Sequence, residues 1–263
     1  MSMEIISIET RPRTRARLPR TKTGLCLTCY GLTRSKLDPA FTWSVWSERS
    51  AYLLGFFFAD GYLLDTDGRK RLGFALADRQ LFDAVYKALG LSHAVRQQVS
   101  GAWRVQFGSA RLFDELVAFG CTPRKSLTVT MPEIPAEWPG PFIRGFFDGD
   151  GSFSVRLEPR VRTSAYPHPV LSFSSGSEDF LSDLAALIER AVGICGRLRT
   201  GHGCYTLLYT SKAAVRALYQ LMYDDGSPDL CCAAKRQKIE DYLDLVASRP
   251  LYTFRRSGQV ISA

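Results

Sequence analysis

Two aspartates in this 263-residue chain have matching surroundings. Asp60 lies near the end of YLLGFFFADGYLL and Asp150 near the end of FIRGFFDGDGSF, so each carboxylate follows an apolar run and precedes a glycine. If each run is a helix, both carboxylates lie at a C-terminus that already carries partial negative charge. Two such carboxylates at ~4 Å repel each other by about 4 kcal/mol at an effective dielectric of 20. A bound cation would offset this repulsion.

Magnesium is the cation that this chemistry favours. Mg²⁺ prefers a few carboxylates together with phosphate oxygens and water, and two carboxylates that share metal with a scissile phosphate are typical of phosphodiester hydrolysis. A calcium-binding helix–loop–helix is excluded, because the required glycine and glutamate positions counted from Asp148 are Phe153 and Pro159. One Asp-x-Asp-Gly motif alone is more often a structural loop, but two copies in matching positions favour a shared metal site.

The apolar runs carry the spacing needed to bring the two aspartates together. Gly55 and Ala59 are four residues apart, as are Gly145 and Gly149. Small residues at this spacing form a flat helical stripe on which a second helix can pack closely. Gly61 and Gly151 are expected to stop the two helices in the conformation that glycine adopts past a helix C-terminus.

The sequence after each Asp-Gly repeats the same order of predicted elements. Alternation of apolar and polar residues predicts strands, with Trp103, Val105 and Phe107 inward in one half and Phe153, Val155 and Leu157 inward in the other. A 3.6-residue period predicts a helix with one apolar face formed by Phe180, Leu184, Leu187, Ile188 and Val192. Each half is predicted as αββαββα, which gives an α+β body with an internal pseudo-twofold. The predicted boundaries are a basic N-terminal arm at 1–40, repeats at 41–131 and 132–247, and a C-terminal tail at 248–263.

Both runs resemble the LAGLIDADG motif of homing endonucleases in the single-chain, two-motif form, at Leu53–Gly61 and Ile143–Gly151. The resemblance covers roughly residues 45–245 and implies a pseudo-twofold pair of repeats that form a saddle of two antiparallel sheets on DNA. It implies that Asp60 and Asp150, at the eighth motif position, are the catalytic and metal-binding acids. The sixth position is Phe58 in one motif and Asp148 in the other, so Asp148 is not expected to be catalytic.

The resemblance also places one basic residue of each repeat near a scissile phosphate. By position these are Lys125 and Lys235, which would polarise water or stabilise charge on the phosphorus, or would only contact phosphate. A further polar position that supports the water network corresponds to Asp78 and to Ser177. Both of these residues are equally well interpreted as helix N-caps.

Outward strand residues are expected to contact double-stranded DNA, because arginine reads guanine and glutamine reads adenine in the major groove. This set is Arg71, Arg96, Gln98, Arg104, Gln106, Arg156, Arg160, Arg162, Arg197 and Arg199. The resemblance implies a monomer that cuts a long, asymmetric target and leaves short 3′ overhangs. It implies Mg²⁺ or Mn²⁺ as cofactor, with Ca²⁺ binding but not supporting cleavage. The alternative is an intron RNA maturase or a non-catalytic DNA-binding regulator.

The N-terminal arm is strongly basic. Eight arginines and lysines and no acidic residue lie between Glu9 and Asp38, in a chain of net charge +8, which favours a polyanionic partner. Cys26 and Cys29 form half of a zinc site, and a structural zinc there is kept as an alternative to an arm that follows the DNA backbone. The seven scattered cysteines predict reduced thiols, and the absence of a long apolar segment or secretory signal predicts an intracellular, intron-encoded or free-standing protein without a membrane span.

Overall fold

The computed structural model of the protein describes residues 37–123, 128–158, 166–201, 203–223, 230–248, 254–256 and 259–261. Five residues singled out in the sequence lie outside these ranges: Cys26, Cys29, Lys125, Arg160 and Arg162. The predictions for these residues therefore stay predictions.

The first repeat is a four-stranded antiparallel sheet with helices on one side. Its elements in chain order are α1 (Glu48–Ala59), β1 (Gly61–Thr66), β2 (Arg69–Leu76), α2 (Arg79–Ala88), β3 (Arg96–Gln97), β4 (Trp103–Gly108) and α3 (Ala110–Ala118). The strand order in the sheet is β1-β2-β4-β3.

The second repeat has the same element order and the same sheet topology. Its elements are α4 (Pro139–Asp150), β5 (Gly151–Glu158), β6 (Tyr166–Ser175), α5 (Glu178–Val192), β7 (Arg197–Thr200), β8 (Tyr205–Tyr209) and α6 (Lys212–Tyr223). The strand order is β5-β6-β8-β7. A further helix α7 (Ala233–Ala247) and a hairpin of β9 (Phe254–Arg256) and β10 (Gln259–Ile261) follow. The predicted α+β class and the duplicated αββαββα order are confirmed.

Local signals in the sequence account for the starts of the two motif helices. Ser47 caps α1 by accepting a hydrogen bond from the Ser50 backbone N–H, and the Ser50 side chain accepts one from the Ser47 N–H in return. Helix α4 starts at Pro139, whose missing N–H costs nothing at a first helical position. The two helices thus begin by different devices.

The alternation predicted for the strands is confirmed in β4 and corrected in β5. Val105 and Phe107 are buried, while Arg104 and Gln106 lie on the opposite face and are half-buried. Val155, expected to point inward, is 37% exposed. Val155 lies on the edge strand β5 and lines an open cleft with Tyr242 and Leu245 of α7, so its side chain faces this helix but is not fully covered by it.

The packing of α1 against α4 forms the centre of the molecule, and the predicted small-residue stripe explains it. A Cβ atom added to Gly55 would lie 2.0 Å from the Phe142 carbonyl oxygen, and one added to Gly145 would lie 2.0 Å from the Tyr52 carbonyl oxygen. The two backbones are therefore in direct contact, reciprocally about the pseudo-twofold. We call this α1–α4 contact the seam.

The glycines after the motif aspartates are required for a different reason from the one expected. Gly151 has φ −90° and ψ 157°, and neither Gly61 nor Gly151 adopts a positive φ. A Cβ at Gly61 would lie 2.5 Å from the Phe57 ring, and one at Gly151 would lie 2.2 Å from the Phe147 ring. Both glycines are therefore fixed by close contact with a motif phenylalanine and not by a left-handed conformation.

No helix within the described residues is both long enough and apolar enough to cross a membrane.

Candidate active site

The ends of α1 and α4 bring Asp60 and Asp150 to the same end of the seam. Asp60 is the C-cap residue of α1, and its N–H donates to the Phe56 carbonyl at 2.9 Å. A Cβ added to Gly149 would lie 2.4 Å from the Ala59 Cβ and 3.2 Å from Asp60 Oδ2. The Asp60 carboxylate therefore lies against the backbone that immediately precedes Asp150. The Asp150 residue is exposed and Asp60 is half-buried, so the site is open to solvent.

Lys235 from the first turn of α7 reaches the same helix end. Its ammonium donates to the carbonyl oxygens of Phe147, Asp148, Gly149 and Gly151 at 2.7–3.1 Å. Three of these carbonyls lie in the last turn of α4, where carbonyls lack the donors of a following turn, and the Phe147 carbonyl also accepts the Gly151 N–H. Lys235 thus caps the C-terminus of α4, which favours a structural role over the predicted polarisation of water.

The electrostatics of Lys235 link it to both motif aspartates. Burial lowers the pKa of the Lys235 ammonium, and the negative charges of Asp148, Asp60 and Asp150 oppose that shift. Asp60 and Asp150 therefore both lie close enough to Lys235 for their charges to act on it. The ammonium offsets part of the repulsion between the two carboxylates.

Asp148 is buried beneath this end of the seam and is only 4% exposed. Its Oδ2 accepts hydrogen bonds from the Tyr52 hydroxyl at 2.8 Å and from the Cys232 N–H at 2.7 Å. Burial raises its pKa to about 6, although both hydrogen bonds and the nearby Lys235 and Arg144 act to lower the pKa. Because it faces away from solvent, Asp148 cannot replace Asp150 as an open metal ligand, in agreement with the expectation that it is not catalytic.

Arg144 was missed in the sequence and is one of the most buried side chains, at 1% exposure. Its guanidinium donates to the carbonyls of Met222 and Leu230 and to the Glu48 carboxylate, the last at 2.7 Å. The sequence carried a signal for this arrangement, since Arg144 and Asp148 are opposite charges one helical turn apart inside an apolar run. Charges in such a place must be paired or hydrogen-bonded, because burying them otherwise costs too much free energy.

Asp78 and Ser177 lie at equivalent N-caps in the two repeats. Asp78 Oδ1 accepts the Leu81 N–H at 3.1 Å and Oδ2 accepts the Cys232 thiol at 3.6 Å. Ser177 Oγ accepts the Phe180 N–H at 3.2 Å and donates to the Val129 carbonyl at 3.1 Å. These contacts favour the capping interpretation of both residues over a role in a water network.

The donor set fits a magnesium or manganese ion. Within the described part of the chain, no cluster of three or more His, Cys, Asp or Glu side chains could enclose a metal. Mg²⁺ is usually bound by one or two carboxylates and completes its shell with water and substrate phosphate. Asp60 and Asp150 lie at an open edge, where water and a substrate phosphate would complete the shell.

Four residues predicted to face DNA line one cleft of about 580 Å³ on the first sheet: Arg71, Arg96, Arg104 and Gln106. Arg104 on β4 is paired across the sheet with Arg96 on β3 and with Ala75 on β2. The Arg104 guanidinium donates to the Tyr62 hydroxyl at 2.8 Å and lies 5.0 Å from the centre of its ring. The central strands of this sheet therefore present cationic and amide groups held in place by an aromatic ring.

The second sheet presents a different surface. Its middle strands carry short hydroxyl side chains on the outward face, at Ser172, Ser174 and Thr206. The arginines lie at the edges, with Arg197 and Arg199 exposed on β7 and Arg156 exposed on β5 opposite His168. The two sheets share a topology and differ in the chemistry of their outward faces.

Comparison with known proteins matches residues 137–222 to the LAGLIDADG-like domain family. No curated protein sequence matches the chain. Similar solved structures include the meganuclease I-SmaMI bound to uncleavable DNA with a TTGT central four, at 12% identity and TM-score 0.56 over 78% of this chain and 90% of that one.

Two further structures show the same likeness. The LAGLIDADG meganuclease I-AabMI bound to uncleaved DNA is 13% identical with TM-score 0.54, over 75% of this chain and 91% of that one. The homing endonuclease I-WcaI bound to its DNA recognition sequence is 12% identical with TM-score 0.54, over 79% and 92%. At these identities the shared property is the fold. The family match begins just before α4 and ends in α6, so it coincides with the second repeat.

Proposed function

We propose that this chain is a site-specific endonuclease that cuts double-stranded DNA. Its fold and the family match of its second repeat both support a two-repeat LAGLIDADG protein. One observation carries the proposal: the seam brings Asp60 and Asp150 to one edge that is open to solvent, where a cation, water and a substrate phosphate would have access to both carboxylates. The meganuclease structures that share the fold were determined on DNA, which supports the substrate class.

The protein's own contribution to the reaction is to hold two carboxylates in a fixed relation. Asp60 and Asp150 would bind Mg²⁺ or Mn²⁺ at helix ends whose carbonyl dipoles favour cations. The bound metal would supply the charge that stabilises the attacked phosphate and activates water. Lys235 fixes the backbone next to Asp150, and the backbone contacts of the seam restrict the separation of the two carboxylates. Hydrolysis on both strands would leave short 3′ overhangs.

Recognition would use the outward faces of both sheets. The first sheet offers Arg71, Arg96, Arg104 and Gln106 from one cleft, which suit guanine and adenine edges and phosphates. The second offers hydroxyl groups flanked by edge arginines. Because the two faces differ, the two halves of the target should differ in sequence, and the site should be long and asymmetric.

A cleavage selection from a randomised duplex DNA library tests this function directly. With Mg²⁺ or Mn²⁺ we expect recovery of one long asymmetric sequence cut on both strands. With Ca²⁺ we expect binding without cleavage, and with a chelator no cleavage. Absence of any cut product in Mg²⁺ and Mn²⁺, together with tight binding to structured RNA, would contradict the proposal and favour an RNA maturase.

A further inference from the structure

The C-terminus of α4 and the N-terminus of α7 exchange charged groups. Asp148, in the last turn of α4, accepts the N–H of Cys232, the N-cap residue of α7, at 2.7 Å. Lys235, in the first turn of α7, donates in return to carbonyls of the last turn of α4. Each helix end therefore receives a charge of the sign that complements its dipole. We call this arrangement the helix-end exchange.

The helix-end exchange replaces the usual capping groups at both ends. Cys232 makes no side-chain cap on α7, so its own N–H would lack a described acceptor without Asp148. Lys235 also bonds the carbonyl of Gly151, on the far side of Asp150. The backbone on both sides of Asp150 is therefore tied to α7, and α7 is tied to the buried carboxylate two residues earlier.

The first repeat has no equivalent of Asp148. The matching position is Phe58, which is 3% exposed, stacks on Phe180 at 5.8 Å and meets the Phe142 ring at 5.9 Å. A phenyl ring cannot accept a backbone N–H as a carboxylate does, so the Phe58 side chain contributes apolar packing. The sixth motif position therefore supplies a buried ring in α1 and a buried carboxylate in α4.

We propose that Asp148 is a positioning residue for the nuclease reaction, which with Lys235 fixes the backbone that carries Asp150. The inference rests on the proposed function. The pseudo-twofold relates the two aspartates as it relates the two strands of a duplex. Weakening the helix-end exchange therefore slows cleavage of one strand more than cleavage of the other. Because one strand is then cut before the other, nicked DNA accumulates.

Strand-resolved cleavage by three variants tests the proposal. Asp148→Leu removes both hydrogen bonds to Oδ2, whereas Asp148→Asn keeps an oxygen that can accept the Cys232 N–H. Tyr52→Phe removes only the bond from the tyrosine hydroxyl and serves as the matched control for a loosened seam. Since displacements on the order of 1 Å cost up to about a hundredfold in rate, we expect Asp148→Leu to slow one strand at least ~10-fold more than the other. Asp148→Asn and Tyr52→Phe should cut both strands with a ratio near that of wild type.

Two readouts separate positioning from loss of folded protein. In Asp148→Leu, hydrogen exchange at the Cys232 amide should accelerate while the Asp60 amide in α1 keeps its protection. Lys235→Met, which removes the other half of the exchange, should slow the same strand. If Asp148→Leu fails to fold, Lys235→Met gives the decisive strand ratio. Equal slowing of both strands in every folded variant overturns the inference while the nuclease stands, whereas a wild-type protein that cuts no selected DNA overturns both.

Discussion

The two motif helices meet in a symmetric seam and are supported asymmetrically around it. Gly55 and Gly145 each face a backbone carbonyl of the other helix at the same close distance. At the second motif position, however, the buried residue is Leu54 in α1 and Arg144 in α4. At the sixth position the pair is Phe58 and Asp148. Contact glycines follow the twofold, whereas the residues around them do not.

This difference teaches that one geometry is maintained by two kinds of interaction. The first helix is held by apolar burial, whose contribution scales with the area removed from water. The second helix adds two buried charged groups to its own apolar burial, and their partners are backbone groups of Met222, Leu230 and Cys232 and the side chains of Glu48 and Tyr52. Substitutions of the two seam glycines should therefore lower the free energy of unfolding equally. Substitutions at the second and sixth motif positions should lower it by unequal amounts in the two helices.

A large effect on stability is expected at the seam itself. In both Gly55→Ala and Gly145→Ala the added methyl would meet a carbonyl oxygen of the facing backbone, which cannot rotate away as a side chain can. We expect each variant to lose about 3 kcal/mol of unfolding free energy in urea titrations, near the upper end for overpacking. Gly108→Ala is the control, because its added Cβ would approach only the Lys70 carbonyl, at 3.8 Å. Loss from one seam variant only would show that the seam is not symmetric.

A comparable effect, restricted to the second repeat, is expected at Arg144. Arg144→Leu makes this position like that of the first motif and leaves the carbonyls of Met222 and Leu230 without their donor. Removing one member of a buried charged network costs roughly 3–5 kcal/mol, measured by chemical unfolding. Glu48→Gln is the control, since Glu48 is 47% exposed and its ion pair should contribute at most about 1 kcal/mol. A variant Arg144→Leu that is more stable than wild type would contradict this account.

Smaller effects are expected on the two DNA-facing sheets, and their character should differ. Arg104→Gln removes a guanidinium held by Tyr62 in the first-sheet cleft, so it should weaken binding by about 1–3 kcal/mol and relax the preference at one base pair. Arg199→Gln on the exposed edge strand should weaken binding to all sequences and lower the salt slope by about 1. Arg190→Gln, on the exposed side of α5, should change neither. Fluorescence anisotropy measures the DNA affinity of all three variants, as a function of salt concentration and on targets with single-base changes. Identical profiles for Arg104→Gln and Arg199→Gln would contradict the distinction between a base contact and a phosphate contact.

The fold was largely predictable because its signals are local and duplicated. The period of two in β4, the helical period of α5 and the glycine spacing of α1 and α4 each predict the element that is found. The exposure of Val155 was not predicted, because alternation gives the face of a strand and not how completely a helix covers that face. Gly61 and Gly151 follow the ends of the motif helices as predicted, but the close contacts with phenylalanine rings that also require glycine there are invisible in sequence.

The site was predictable in its two aspartates and not in their support. Asp60 and Asp150 follow from two matching motifs, but the partners of Lys235 and Asp148 come from chain segments that are far apart in sequence. A lysine near a predicted phosphate site and a lysine that caps a helix look the same in sequence. Only tertiary contacts separate them, since the difference lies in which carbonyls are within reach.

The most direct test compares cleavage of the selected target by wild type, Asp60→Asn and Asp150→Asn in Mg²⁺, with DNA affinity measured in Ca²⁺. If the two carboxylates hold the catalytic metal, each variant should bind DNA about as tightly as wild type and lose roughly 10³-fold or more in cleavage rate, as when a principal charge-stabilising group is removed. Asp179→Asn, an exposed residue of the first turn of α5, should cut at the wild-type rate. A variant Asp60→Asn or Asp150→Asn that cuts both strands at the wild-type rate would contradict the account.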